Sequence, residues 1–358
     1  MFLFKKKINL YLYIFFFTLV FIFNEFSTNE AFSKNFLVSQ VEIEEDYDLN
    51  FNKSKVINKG FRKAFNIIIY KIIEKKDLHK LKDIPLKQIK GLIDNFSIVN
   101  EKFINNKYQS QFEVQFNKKK FLSFVENKNI ISSLPKVIKA FILPVLIDTK
   151  KNEIYYLNQN VFFKNWNTSS KKYFLINYVL PNEDIEDYLI IKKNIDNLEN
   201  YNFQEIINKY NLENHIILII LKTENQLRFF SKIKFDKKKM LINKFYNNIN
   251  IDDKKLVNKL IMETKEHYED KWKSINKLDT SIAIPIRLSL ESKNIELSKK
   301  LEKELMAFDL ISDYRIEKFN NKEIIYKIIF NSSPDKFLEN MLSLNFNIDT
   351  SNDVWKLR

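Results

Sequence analysis

The chain has 358 residues, 45% of them hydrophobic, which is enough for two or three domains with apolar cores and excludes an intrinsically disordered protein. It contains two glycines, Gly60 and Gly91, so a P-loop, a dinucleotide-binding glycine turn and a nucleophile elbow are all excluded. The absence of cysteine excludes disulfides and a lipid-modified N-terminal cysteine.

The formal net charge of +14 would by itself suggest a negatively charged partner, either nucleic acid or an anionic membrane surface. The sequence is, however, rich in Lys, Asn, Ile and Phe, which all have AT-rich codons. A strongly AT-biased genome raises the lysine content without selection for a polyanion. We therefore interpret most of the charge as a consequence of nucleotide composition.

The N-terminal residues have the pattern of an export signal. Lys5–Lys7 form a basic cluster, and Ile8–Phe23 form an uncharged, mostly apolar run. Ala31 and Ser33 place small residues where signal peptidase reads them, so we predict a signal peptide over residues 1–33, with an uncleaved inner-membrane anchor as the alternative. Both interpretations predict a periplasmic protein, for which nucleic acid is not an expected partner.

Residues 34–133 are predicted to form a first α+β domain with the order β-α-α-β-β-α. Partial alternation over "FLVSQVEIEED" indicates a strand, and apolar residues three and four apart from Val56 to Ile72 predict a long amphipathic helix. A second helix is predicted over Pro85–Phe96. "FSIVNEKFI" and "KYQSQFEVQF" predict a β-hairpin with its turn at Asn105-Asn106-Lys107, followed by a helix capped by Asn117.

Residues 134–275 are predicted to form a middle α+β domain. Its expected elements are a buried strand, "KVIKAFILPVLID", an aromatic helix, "NQNVFFKNW", and a second strand, "YFLINYVL". An acidic stretch and the helix "NFQEIINKYN" follow. "HIILIIL" and "QLRFFSKIKF" then predict a hairpin, and a long helix from Asp252 to about Ser274 ends the segment.

Residues 276–358 predict a third domain with the order β-α-β-β-α-β, which is typical of a ferredoxin-like unit. Its hairpin turns at Asn320-Asn321, its second helix has Ser333 as N-cap and Pro334 at the first position, and a final short strand ends at Trp355. The predicted fold class is therefore α+β, with two or three small sandwich domains in series behind a signal peptide.

With these motifs in order, residues 36–358 resemble an exported bacterial family known as domain of unknown function 2066. The similarity begins with "YQSQFEVQFNKKKFLSFVENKNI" and continues through the strand motif Leu143-Pro144-Val145, then Asn160 and Trp166. Tyr155 or Tyr156 stands where the family usually has a tryptophan. "HYEDKWKSIN" and the C-terminal "NDVWKLR" complete it.

The same resemblance covers the acidic stretch "VLPNEDIEDYL". The family pattern is roughly Pro-x-Gly-Asp-x-x-Asp, and Pro181, Asp184 and Asp187 fall on it, with Glu183 in the place of the glycine. If that glycine requires positive φ, Glu183 would be strained. The resemblance implies an exported α+β protein, and it implies no activity, cofactor or catalytic residue.

Three interpretations of the acidic stretch are open. Asp184 and Asp187 could be the general acid and base of an envelope hydrolase, they could contact an ion or a partner, or they could begin a helix. Asp184 or Asn182 would then cap the helix, and the other carboxylates would offset the positive end of its dipole. We favour the helix start, and under this interpretation neither Asp184 nor Asp187 is a catalytic residue.

Other candidate sites are weaker. His79, His215 and His267 lie in separate elements, so we expect no zinc or other metal site, and we expect no cofactor. Phe162, Phe163 and Trp166 share a helical face and are expected in the core, with a carbohydrate or peptide platform as the alternative. The function expected is non-enzymatic binding of another envelope protein, or an assembly role. The alternatives are an envelope hydrolase and peripheral contact with an anionic membrane surface.

Overall fold

The computed structural model describes residues 36–168, 171, 173–278, 283–308 and 310–358. The predicted signal peptide and its cleavage site lie outside the described residues. The protein is α+β, as predicted. Residues 36–283 form one compact unit and residues 284–358 form another. No helix in the described part of the chain combines the length and the hydropathy that crossing a membrane requires.

The first sheet has three strands in the order β1-β3-β2. They are Leu37–Asp46 (β1), Ile93–Ile104 (β2) and Lys107–Phe116 (β3). β1 pairs irregularly between Val38 and Val41, which explains why its alternation is only partial. Asn105 and Asn106 have φ of 51° and 56°, as a tight hairpin turn requires, so the predicted hairpin is confirmed.

The helices of this segment are Lys53–Ile72 (α1), Leu86–Gly91 (α2) and Lys118–Glu126 (α3). α1 lays its apolar side on β3, and Gly60 makes the close approach possible, because a Cβ there would lie 3.2 Å from the Phe112 ring. The predicted helix Pro85–Phe96 is wrong beyond Gly91, because the backbone from Ile93 onward pairs with β3 instead.

The second sheet has six described strands: five follow the order β5-β4-β7-β8-β9, and a short sixth strand, β6, also pairs with β4. They are Ile138–Asp148 (β4), Glu153–Tyr155 (β5), Ile176–Val179 (β6), His215–Lys222 (β7), Gln226–Phe235 (β8) and Lys238–Asn247 (β9). β4 is buried on both sides, and alternate residues such as Ile142 and Leu143 enter two separate cores. β5 and β9 have no counterpart among the predicted strands.

The helices of the middle segment cover opposite faces of this sheet. They are Val161–Asn165 (α4), Ile185–Lys193 (α5), Gln204–Asn208 (α6) and Lys254–Ile275 (α7). α4 and α7 pack on one face, whereas α5 and α6 pack on the other. Asp253 caps α7, so the predicted long helix is confirmed with its start moved to Lys254.

Residues 284–358 contain a third sheet with the order β11-β12-β10-β14-β13. Its elements are Ile284–Glu291 (β10), Ile295–Ala307 (α8), Ile311–Phe319 (β11), Glu323–Phe330 (β12), Pro334–Ser343 (α9), Ile348–Asp349 (β13) and Trp355–Leu357 (β14). Ser333 caps α9, with Pro334 at its first position, as predicted. The single final strand ending at Trp355 is wrong. The chain reverses after β13, and Trp355 begins β14, which runs parallel to β10.

Candidate functional site

The acidic stretch forms the start of α5. Pro181 is buried just after β6, and Asp184 is the N-cap, accepting a hydrogen bond from the Glu186 N–H at 2.8 Å. Glu186 and Asp187 lie in the first turn, where negative charge is stabilised by the helix dipole. Glu183 is not among the residues with positive φ, so it fills the place of the family glycine without backbone strain.

A lysine from α6's C-terminal end joins the two aspartates. Lys209 Nζ lies 2.6 Å from Asp184 Oδ2 and 2.7 Å from Asp187 Oδ1. The hydrogen bond from Lys209 lowers the pKa of Asp184, and the two carboxylates together raise the pKa of Lys209. These three side chains, which we call the α5 ion cluster, therefore carry one cation and ionised Asp184 at neutral pH.

Two tyrosines lie behind the α5 ion cluster. The Tyr210 hydroxyl accepts a hydrogen bond from the Asn182 N–H at 2.8 Å, and its ring stacks on Phe141 with centroids 4.2 Å apart. Burial, and then the charge of Asp187, raise the pKa of Tyr156. The Tyr156 hydroxyl and Asp187 Oδ2 are both buried, and neither has a hydrogen-bond partner among the described residues.

This geometry limits the chemistry available to the acidic stretch. The Asp187 side chain is 0% exposed and therefore cannot touch a substrate at the surface. Asp184 has a lowered pKa, which is the opposite of what a general acid needs near neutral pH. The arrangement supplies an ion-paired helix start that anchors α5 to α6.

Asn160 and Trp166 lie elsewhere. The buried Asn160 accepts hydrogen bonds from the Phe162 and Phe163 N–H groups and donates to the Pro144 carbonyl at 2.9 Å, so it joins α4 to β4. Phe162 and Trp166 are fully buried against α7, which confirms their expected place in the core. α5, which carries Asp187, packs on the opposite face of the sheet from α4. Asn160 and Trp166 therefore do not form one site with the acidic stretch.

A row of buried ionisable residues on α7 was missed by the sequence analysis. Lys265, Glu269 and Lys273 follow one another at four-residue spacing and are each at least 95% buried; we call them the α7 row. Lys265 Nζ donates to the Trp166 carbonyl at 2.5 Å and lies 5.2 Å from the centre of the Tyr178 ring. Burial lowers the pKa of Lys265 to about 8. The only signal in the sequence was this four-residue spacing, which places the three residues on one side of α7.

The other two members of the α7 row bind backbone groups of distant segments. Glu269 accepts hydrogen bonds from the Leu175 and Ile176 N–H groups at 2.9–3.0 Å, yet burial outweighs these bonds and raises its pKa. Lys273 Nζ donates to the Ile73 carbonyl at 3.0 Å, and burial lowers its pKa. The row therefore holds β6 and the end of α1 against α7.

Comparison with known proteins gives no family assignment. No family model matches the chain. Among curated proteins, it is similar to the protein Ycf2 of Physcomitrium patens, with 26% identity over 276 residues, which are 76% of this chain and 10% of that protein. The chain thus spans about a tenth of the length of this relative. Among the described residues, no group of three or more His, Asp or Glu side chains is arranged to hold a metal ion.

Proposed function

We propose that this chain is an exported protein of the cell envelope that binds another envelope protein, without enzymatic activity, in an assembly or scaffold role. The export signal over residues 1–33 and the resemblance to domain of unknown function 2066 support the location. The observation that carries the binding role is the exposed outer edge of β2.

β2 is an edge strand with an unusual surface. It has twelve residues, and no described strand pairs with its outer side. Val99 is 58% exposed, and Phe103 and Ile104 are 60% and 48% exposed. Edge strands usually carry charges or prolines that prevent pairing with other chains. β2 also carries Asp94, Glu101 and Lys102, but its unpaired backbone and exposed apolar side chains favour addition of an extended segment of a partner, whose backbone completes the sheet.

The experiment that tests this role blocks the edge without disturbing the core. Val99→Lys and Ile104→Lys place charges on the exposed edge, and Leu342→Lys on α9 is a matched control, since Leu342 is 63% exposed. We expect affinity purification from crosslinked envelopes to recover one specific protein with the wild type and the control, and to lose it with both edge variants. Recovery of the same protein with the edge variants, or of none with the wild type, would contradict the proposal.

The location has its own test. N-terminal sequencing of the protein recovered from a periplasmic fraction should begin at Lys34, because cleavage is proposed after Ser33. A chain that begins at Met1 and sediments with the inner membrane would support the anchored alternative. A cytoplasmic chain that begins at Met1 would reject both.

The finer architecture also stays a proposal. We propose three domains with boundaries near residues 133 and 275, of which the last is ferredoxin-like. The first two contact each other where Lys273 of α7 binds the Ile73 carbonyl at the end of α1. The order β10-α8-β11-β12-α9 and the neighbours β11-β12-β10 support the ferredoxin-like relationship, with the β13–β14 hairpin in place of the usual single strand. A crystal structure in which β11 does not lie beside β12 would contradict it.

A further inference from the structure

A cleft of about 600 Å³ opens on the same face of the middle sheet as α5 and α6, over the part of that face that these helices do not cover. The segment Asn200–Gln204 forms one wall, and β7, β8 and β9 form the floor. Its apolar surface comes from Phe203, Ile207 and Leu241, and Leu241 is 68% exposed. Phe203 and Ile207 are themselves buried in the core, so Leu241 supplies the apolar surface of the cleft that the protein itself does not cover.

Strand register concentrates positive charge in this cleft. His215 on β7 lies opposite Lys234 on β8, which lies opposite Lys239 on β9, so three basic side chains adjoin across the sheet. Lys232 lines the same cleft two residues before Lys234. No carboxylate lines it, and neither Lys234 nor Lys239 pairs with a carboxylate of the described residues. Like charges placed directly opposite in a sheet are destabilising, so Lys234 and Lys239 repel each other across β8 and β9.

Two of the basic groups in the cleft are partly buried, and burial is the main cause that lowers the pKa of each. Lys232 Nζ donates to the Tyr201 carbonyl at 2.8 Å, lies 5.7 Å from the centre of the Phe203 ring, and has a pKa lowered by burial. Burial, then the charges of Lys234 and Lys239, lower the pKa of His215. The His215 Nδ1 atom is buried without a hydrogen-bond partner among the described residues.

We propose that this cleft binds a phosphate-bearing amphipathic small molecule. The phosphate lies between Lys234, Lys239 and His215, and the apolar part lies on the exposed Leu241. A phosphate offsets the repulsion among the cations and accepts charge-assisted hydrogen bonds from them. The same chemistry is found in soluble phosphate esters and in the headgroups of anionic lipids. This site is separate from the β2 edge, so neither proposal depends on the other.

The test uses calorimetric titration of the purified protein with three probes: inorganic phosphate, dihexanoyl phosphatidic acid below its micelle concentration, and phosphatidylcholine vesicles containing phosphatidylglycerol. We expect one dihexanoyl phosphatidic acid per chain, bound about tenfold more tightly than inorganic phosphate, because the acyl part adds apolar contact. Vesicle binding that also needs the cleft lysines would identify a lipid headgroup as the source. Its absence would identify a soluble phosphate ester.

Variants localise the binding. Lys234→Ala and Lys239→Ala should each weaken dihexanoyl phosphatidic acid about tenfold, since each removes a charged donor. Lys238→Ala is the matched control, because Lys238 lies opposite Phe235 and projects from the other face of β9. Equal losses in all three variants, or binding to vesicles alone, would overturn the cleft in favour of general surface charge.

A measurement on the unmodified protein avoids dependence on variants. The pKa of His215, followed by NMR, should rise when dihexanoyl phosphatidic acid binds, because a nearby anion favours the imidazolium. An unchanged His215 titration at saturating probe, or no heat of binding at millimolar probe, would overturn the proposal.

Discussion

The α5 ion cluster and the α7 row use charge in opposite ways. In the α5 ion cluster, Lys209 pairs with Asp184 and Asp187 and remains a third exposed. In the α7 row, Lys265, Glu269 and Lys273 are withdrawn from water and satisfied mainly by backbone groups of other segments. The first arrangement fixes one helix end, whereas the second ties distant parts of the chain to one helix.

The comparison shows that a dense cluster of charged residues in the sequence does not indicate which charged residues are buried in the structure. Four carboxylates within five residues attract notice, yet most of them serve a helix start that remains in contact with water. Lys265 and Glu269 look like ordinary helix surface residues. Their energetic weight comes from burial, because breaking the hydrogen bonds of a buried ionisable group costs far more than breaking those of an exposed one.

The largest effect is expected at Glu269. Glu269→Leu removes the acceptor of two buried N–H groups and should lower the free energy of unfolding by about 3 kcal/mol, measured by urea denaturation. Glu269→Gln keeps an acceptor and is the control, with a loss of less than about 1 kcal/mol. Since the folded-state pKa of Glu269 is raised above the ordinary glutamate pKa of 4.5, its contribution to stability is present below pH 4.5 and is lost as the pH rises. The Gln variant should therefore gain on the wild type above that pH.

The contribution of Lys265 to the free energy of unfolding should depend on pH. Its pKa falls from 10.5 in the unfolded chain to about 8 in the fold, so the unfolded state binds more protons between these values. The stability of the wild type, relative to that of Lys265→Met, should rise by about 2 kcal/mol between pH 7 and pH 10. A difference that stays constant with pH would show that Lys265 is as accessible to water as a surface lysine.

In the α5 ion cluster the expected effects are smaller. Asp187→Ala removes the buried partner of Lys209 and should lower the free energy of unfolding by about 1–2 kcal/mol in urea denaturation. Glu186→Ala is the matched control, because Glu186 is 78% exposed and lies 3.8 Å from Lys209. Equal losses in both variants would mean that burial of Asp187 adds nothing to the pair.

The smallest effect is expected at the cap itself. Asp184→Ala should lower Tm by roughly 2–4 °C, as measured by circular dichroism, because the Glu186 N–H loses its acceptor. Asp184→Asn retains a capping oxygen and should lose less than half as much. Equal losses with Asn and with Ala would assign the role of Asp184 to its charge and not to the cap.

Local features of the sequence predicted most elements of the fold. Asn52, Asn117, Asp253 and Ser333 all cap the helices that follow them, and the apolar spacing of α1 and α7 gave their extents. β9 was missed because its inward residues are only half-buried and its start, Lys238-Lys239, looks like a solvated turn. The helix predicted over Pro85–Phe96 failed because pairing with β3 decides the conformation after Gly91, and local propensity does not contain that information.

The candidate sites were less accessible to prediction. The cap at Asp184 depends on neighbours in sequence and could be anticipated. Lys209 meets Asp187 across 22 positions, and Lys265 meets Trp166 across 99 positions, so neither contact follows from local spacing. Likewise, the cleft around His215 needs the register of three strands, of which one was not predicted.

The bond from Lys273 to the Ile73 carbonyl joins residues 200 positions apart, and it sets an order in time. The strands of the first sheet end at Phe116, far ahead of Lys273 in the sequence. While α7 is unfolded, the C-terminal end of α1 lacks the lysine that binds it in the finished protein. The last steps of folding must therefore wait for α7, and a chain that stops before Lys254 would contain a complete first sheet with an unfinished end.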